Sequence, residues 1–367
     1  MKGRKKFITY IIMAVMLVGI SILPSQADNA SPPVLTLSLN DAIDKAILNN
    51  PQVGMAAADK KKKDLAYTQA KRASVRMADS SGGGTYQANL TQYITPKVAQ
   101  LEGEQAEKVY EITINGVKVE VEQAFYNLIQ AKEKQTIAEN ALLRADDQLK
   151  IANAKFNIGS VAKQEVLAAE AAQASARAAL TSARNTYHLN TMELDTIMGL
   201  DLNTVLDPQG VFTFEKQEFE LQKLLDTAMV KESSIIKAQD SYEMAQWNYD
   251  YTKSYYGPYN EDTIKSEQDK ITAGLSLQKT KDNLITNVNK NYYSKLALEE
   301  QYDYLLKNVE LKKEVYRLTQ LSYEVGMSTL LDAQKASDAE KQAELDLSDC
   351  VYQYNVLKSS LKYSIFS

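Results

Sequence analysis

Apolar residues recur along most of this chain at the three-and-four spacing that marks one buried face of a helix. Leu180, Tyr187 and Leu194 keep a seven-residue interval, and so do Leu347, Tyr354 and Leu361. That interval is the seam of a coiled coil. The stripes predict packed core rather than a cofactor pocket. Helical patterning from Val117 to Phe156 covers 40 residues, roughly 60 Å of helix. Lys163 to Met198 covers 36 residues, roughly 54 Å. Strand-like alternation is clearest in two short stretches: Tyr86, Ala88 and Leu90, and Ile271, Ala273, Leu275 and Leu277. The second also sets Ile271 and Leu275 four apart, and helix is the preferred reading there. The predicted class is mainly all-α, built of long helical hairpins.

The pattern occurs twice. Leu39 to Leu48 matches Leu221 to Val230 at an offset of 182, with Asp44/Asp226 and Ala46/Ala228 identical. A second block matches at an offset of 167: Phe125-Tyr126 with Tyr292-Tyr293, Phe156-Asn157-Ile158-Gly159 with Tyr323-Glu324-Val325-Gly326, and Tyr187 with Tyr354. The offsets differ by 15, so the first copy carries 15 extra residues between the blocks. Each copy predicts a short amphipathic helix, a long helix, a variable tip, a long helix, an aromatic–x–x–Gly turn and a further long helix. Gly159 and Gly326 supply the positive-φ residue that ends a helix, and Ser160 and Ser328 are the expected caps of the next. The copies divide at residues 28–206 and 207–367, within one elongated domain. At their junction Asp207-Pro208-Gln209-Gly210 predicts a turn, and Val211 to Phe214 a short strand.

Composition adds an address. Lys2, Arg4, Lys5 and Lys6 precede an apolar run from Phe7 to Leu23, and Ser25-Gln26-Ala27 offers small residues for cleavage. Residues 1–27 therefore read as a secretion signal. Its loss removes four positive charges and takes the net charge from −5 to −9, which argues against nucleic-acid binding. No later apolar run reaches transmembrane-helix length. The single cysteine, Cys350, falls on an apolar helical face and reads as buried core. The single histidine, His188, has no second ligand with which to hold zinc. Lys60 to Lys63, flanked by acids, reads as a solvated helix face. Ten of the 22 residues from Ala162 to Ala183 are alanine, a density that permits close helix approach. With no phosphate loop, metal cluster or nucleophile–base set, an enzyme is disfavoured, and no cofactor or metal is expected.

Several segments together resemble the TolC family of outer-membrane efflux ducts. They are Leu37-Ser38-Leu39-Asn40-Asp41-Ala42 with Asn50-Pro51, Phe156-Asn157-Ile158-Gly159, Met198-Gly199-Leu200-Asp201-Leu202-Asn203, and Tyr323-Glu324-Val325-Gly326 followed by Leu330-Leu331-Asp332-Ala333. No single motif is specific, but their order is. The resemblance implies a homotrimeric helical tube in the outer membrane. It also implies a periplasmic adaptor docking at the turns and an inner-membrane transporter supplying substrate. The alternative is an envelope helical scaffold with no conduit. By resemblance, Asp332 lines an aperture. Lys335 replaces a second gate acid and pairs with Asp332, Glu165 holds the equivalent place in the first copy, and Tyr323 bonds Glu165. Ile158, Gly159, Ser160, Val325, Gly326 and Met327 form the docking turns. One departure stands out. The family carries membrane strands at the hairpin tips, whereas these tips fall short of the roughly 9–11 residues a membrane strand needs, so any β tip is short or vestigial. Trp247, Tyr249, Tyr251, Tyr255, Tyr256 and Tyr259 crowd the second tip, as a membrane-interface belt or as the packed end of a hairpin.

Overall fold

The computed structural model describes residues 34–79, 84–202, 204–209 and 213–364; the expected secretion signal lies outside them. Strand β1 (Val34–Leu37) runs parallel to β2 (Val205–Pro208), with Val34 opposite Val205 and Leu37 opposite Pro208. Parallel strands need a long crossover, and here the whole first copy supplies it. Ser38 then opens α1 (Leu39–Asn49) with a capping box: its hydroxyl accepts from the Asp41 amide, and its own amide donates to the Asp41 carboxylate. Asn50 ends α1, and Pro51 starts α2 (Pro51–Asp79) at the one helical position where a missing N–H costs nothing. A short α3 (Tyr86–Asn89) passes through a π-helical turn, Leu90–Ile94, into α4 (Thr95–Asn157). Helix α5 (Lys163–Met198) returns. The second copy follows the same order: α6 (Leu221–Lys231), α7 (Ser233–Tyr256), α8 (Glu261–Glu324) and α9 (Leu330–Tyr363).

Helix α4 has 63 residues and α8 has 64, so each is roughly 95 Å long. The patterning from Val117 understated α4. Its apolar stripe continues back through Ala106 and Ala99, both buried. The long helices lie side by side in the order α5, α4, α9, α8, with α2 against α4 and α7 against α8. Leu180 and Leu194 are buried on the α5 seam, as are Tyr354 and Leu361 on α9. Mid-molecule, each copy buries its short helix on its long one: Ala42 and Ala46 against Val117, Val121 and Phe125 in the first, joined by Val53 of α2, and Leu224 and Ala228 against Leu284 and Val288 in the second.

Three local expectations change. The Tyr86–Leu90 alternation is helical, not extended: Thr85 caps α3 by accepting from the Ala88 amide, which starts a turn that the π segment prolongs. The described residues of both tips are therefore helix or tight turn, and the second tip is only the four residues between Tyr256 and Glu261. Asp207 and Pro208 belong to β2 rather than to a turn. Val211 and Phe212 of the expected strand lie outside the described residues, and Phe214 belongs to no strand; its ring stacks on Tyr302 at 3.9 Å. The connector there is strapped to α9, because the Tyr354 hydroxyl accepts from the Gln217 amide (2.8 Å) and donates to the Glu215 carbonyl (3.0 Å). The Ile271 stretch lies within α8. Cys350 is buried, and burial pushes its thiol pKa up. His188 is exposed on α5.

Candidate functional site at the turn end

Both hairpins turn by the same backbone chemistry. Gly159 (φ 74°) and Gly326 (φ 80°) take the left-handed conformation. In the first turn the Ser160 amide donates to the Lys155 carbonyl (2.9 Å) and the Gly159 amide to Phe156 (2.9 Å). In the second, Met327 donates to Ser322 (2.8 Å) and Gly326 to Tyr323 (3.1 Å). This is the Schellman pattern, which satisfies the last carbonyls of a helix. The serines do not cap the following helices. Ala162 stands at the cap of α5 without a side-chain bond, and the Ser328 hydroxyl donates to the Thr319 carbonyl. Thr329 is the cap of α9, and its partner is Asp332.

That partnership redefines Asp332. Its carboxylate accepts from the Thr329 hydroxyl (2.6 Å) and amide (3.1 Å), while the Thr329 hydroxyl accepts from the Asp332 amide (3.2 Å). These bonds hold the carboxyl below its usual pKa, with a smaller contribution from the charge of Lys335. The bonded partner of Asp332 is thus Thr329 rather than Lys335.

Tyr323 and Glu165, 158 residues apart in sequence, meet here: the phenol donates to Glu165 Oε1 at 2.9 Å. Burial raises the Tyr323 pKa, and the bond to Glu165 raises it further. The ring is 1% exposed and packs with Ala152, Val166, Leu330 and Ala333. Lys155 was not singled out from the sequence. Its ammonium sits 3.7 Å from the Tyr323 ring centroid and also bonds the Tyr323 carbonyl. Nothing local in sequence signals that contact. Thr329 was legible, because Thr-x-x-Asp before an apolar run is a capping-box signature. Beyond this clamp the turns end in bare apolar side chains: Ile158 is 81% exposed, Val325 62% and Met327 84%.

Two further faces lack a partner among the described residues. Helix α8 exposes Tyr304, Leu311 and Leu318 at seven-residue intervals, with Val315 between. Helix α5 exposes Leu167, Ala171, Ala174, Ala178 and Met192 along one side. These are the two edges of the four-helix layer.

The family model described as "Outer membrane efflux protein" matches residues 83–200 and 260–362, more than half of the chain. The chain belongs to the outer membrane efflux protein family. The match stops at the α5 terminus and resumes at α8, so each segment holds one pair of long helices and one turn. No curated protein sequence matches the efflux protein. Solved structures do. The CmeC outer membrane channel of Campylobacter jejuni superposes with a TM-score of 0.74 at 14% identity, covering 89% of this chain and 85% of that one. The outer membrane protein VceC of Vibrio cholerae gives 0.73 at 14%, covering 88% and 94%. The open-state MtrE outer membrane channel of Neisseria gonorrhoeae gives 0.66 at 15%, covering 89% and 88%. At such identities the likeness establishes a shared protomer fold. Family membership makes this efflux protein an outer-membrane transport protein rather than an enzyme.

Proposed function

We propose that this efflux protein is the subunit of a homotrimeric duct, closed by setting α8 of one copy on α5 of the next. The observation that carries this reading is the pair of unpartnered edges. A bulky stripe on α8 and a small-residue stripe on α5 are complementary in size, and exposed apolar stripes of this length call for a partner. The duplication supplies the register. Within the chain α4 already packs on α9, and the Ser348 hydroxyl donates to Glu133 at 2.6 Å. The 167-residue offset converts that pair into Thr181 on α5 and Glu300 on α8, both exposed. The number three comes from the family likeness. The joint variant Thr181→Cys/Glu300→Cys should cross-link into a covalent ring of three under oxidation. Sedimentation showing only monomers at micromolar concentration would remove the duct.

The turn end is, on this reading, where a periplasmic adaptor docks and an inner-membrane transporter delivers substrate. Ile158, Val325 and Met327 supply an apolar contact around Gly159, Ser160 and Gly326. Gly326→Glu should abolish adaptor cross-linking with helicity intact. Three copies of Asp332 around the axis would form an acidic ring, softened by Lys335, with Tyr323 and Glu165 tying the two hairpins shut behind it. Block of bilayer conductance by a trivalent cation should weaken in Asp332→Ala; identical block in both proteins would leave Asp332 as a cap alone. The scaffold reading draws on the helical tips, which offer no membrane strand of adequate length among the described residues.

A further inference from the structure

Helix α2 carries its basic residues in two groups, and Lys61 and Lys62 of the first are exposed with no ion pair among the described residues. Lys60 and Lys63 are neutralised by Glu107 and Glu102 of α4. Lys71, Arg72 and Arg76, in the last three turns before the tip, are exposed and form no ion pair with any acidic side chain that the structure describes. With Thr68 and Val75 they line one shallow recess along α2, and Val75 is 56% exposed. The Ser74 hydroxyl donates to the Gln92 carbonyl (2.6 Å), which fixes the π turn and its exposed Tyr93 beside this face. Across the tip, Tyr86 packs its ring against Tyr251, Tyr255 and Tyr256 and so ties the basic corner to the second hairpin, where Tyr259 stands out 93% exposed.

Exposed cations beside exposed aliphatic and tyrosine side chains suit one kind of surface, the polar boundary of an anionic lipid leaflet. Lys and Arg are drawn to its phosphates, and tyrosine rings settle at headgroup level. The chain as a whole is acidic, with a net charge of −5, so attraction to such a surface must be local. Opposing charge is present at the tip: Glu261 and Asp262 occupy the first turn of α8, where they partly offset the positive helix end.

We infer that the helical tips dock peripherally on an anionic phospholipid surface, with Lys71, Arg72 and Arg76 against the headgroup phosphates and Tyr93 and Tyr259 at the interface. This rests on the tips being the membrane-proximal end of the proposed duct. It gives that end a means of holding the membrane without spanning strands.

The test uses residues 28–367, which contain the compact unit Val34–Ser367, mixed with vesicles of phosphatidylcholine alone or with phosphatidylglycerol added. Binding should require phosphatidylglycerol and fall with salt. The triple variant Lys71→Ala/Arg72→Ala/Arg76→Ala should weaken it ~100-fold, about fivefold per cation. Lys60→Ala/Lys63→Ala should leave it unchanged, and circular dichroism should show both variants equally helical. Equal binding to phosphatidylcholine alone, or undiminished binding by the triple variant, would each overturn the inference. Sedimentation of the same samples separates the two readings. A monomer that binds anionic vesicles removes the duct and keeps the lipid site, whereas a trimer that ignores them removes the lipid site alone.

Discussion

The two ends of this protein are built on opposite principles. At the turn end the copies remain near twins: each long helix stops at a left-handed glycine with the same pair of backbone bonds. The copies are also welded there, through Tyr323, Glu165 and Lys155. At the tip end the copies have diverged. The first tip runs through a cap, a short helix and a π turn, while the second is a four-residue turn. What joins them is a cluster of tyrosine rings. Backbone chemistry tolerates little change, because the last carbonyls of each helix must be satisfied. A contact made by rings accepts different chain lengths on either side. The 15 extra residues of the first copy therefore fall mostly at the tip.

The comparison breaks first at Tyr323. Tyr323→Ala empties a fully buried ring site and strands Glu165, so it should cost about 3–5 kcal/mol in urea unfolding. Tyr323→Phe should cost about 1.5–3 kcal/mol, the worth of the hydroxyl's bond to a carboxylate. A loss below 1 kcal/mol for the alanine variant would mean that the turn end is not welded.

Between the ends lies a carboxylate that opposes folding. Asp195, on the last turns of α5, is fully buried, and neither of its oxygens has a hydrogen-bond partner among the described residues. Burial, aided by the charge of Asp201, pushes its pKa up to about 6. A raised acid pKa means that the folded chain holds the proton more tightly than the unfolded one. This group therefore costs stability above pH 6, and the cost fades as pH falls through about 6 toward the ordinary value of 3.8. Asp332 has the opposite sign: its lowered pKa contributes stability at neutral pH that is lost in stronger acid. Acidifying from pH 7 to pH 5 should raise the stability of the wild type by about 1.3 kcal/mol through Asp195. Asp195→Asn should flatten that slope, and an unchanged slope would assign it to other groups.

Much of this was legible in the sequence, for physical reasons. A Schellman turn depends on one glycine and its own helix, so Gly159 and Gly326 announced it. The limits of α5 followed from its own periodicity. The missed features are bonds between distant segments. The strand Val34–Leu37 pairs with a partner 171 residues away and carries too few residues to show a period. Lys155 meets Tyr323 across 168 residues. The cap of α9 was missed for another reason: Ser328 and Thr329 are adjacent candidates with the same chemistry, and only the position of Asp332 three residues on selects the threonine. Thr329→Ala should lower thermal stability by about 1 kcal/mol, whereas Ser328→Ala should cost less, since its hydroxyl bonds one carbonyl of the preceding helix. Equal losses would mean that the capping box contributes no more than that single bond.

The smallest expected effect lies at the other end and sharpens the contrast most. Tyr259 stands in the four-residue turn between α7 and α8 and is 93% exposed. It belongs to none of the ring contacts that hold the tips together, which run through Tyr86, Tyr251, Tyr255 and Tyr256. The turn itself is held without it. The Asn260 side chain accepts from the Asp262 amide (2.8 Å), and the Thr263 hydroxyl donates to the Gly257 carbonyl (2.8 Å). Tyr259→Ser should therefore leave urea and thermal unfolding within about 0.5 kcal/mol of wild type, the usual range for a surface site away from caps and cores. A large exposed ring that contributes nothing to stability still carries apolar area available to a surface. The same variant should lose measurable retention on phosphatidylglycerol vesicles. If it unfolds early, the tip is a structural end like the turns and the contrast between the two ends fails. If stability and vesicle retention are both unchanged, the ring is idle and the lipid contact rests on the cations of α2.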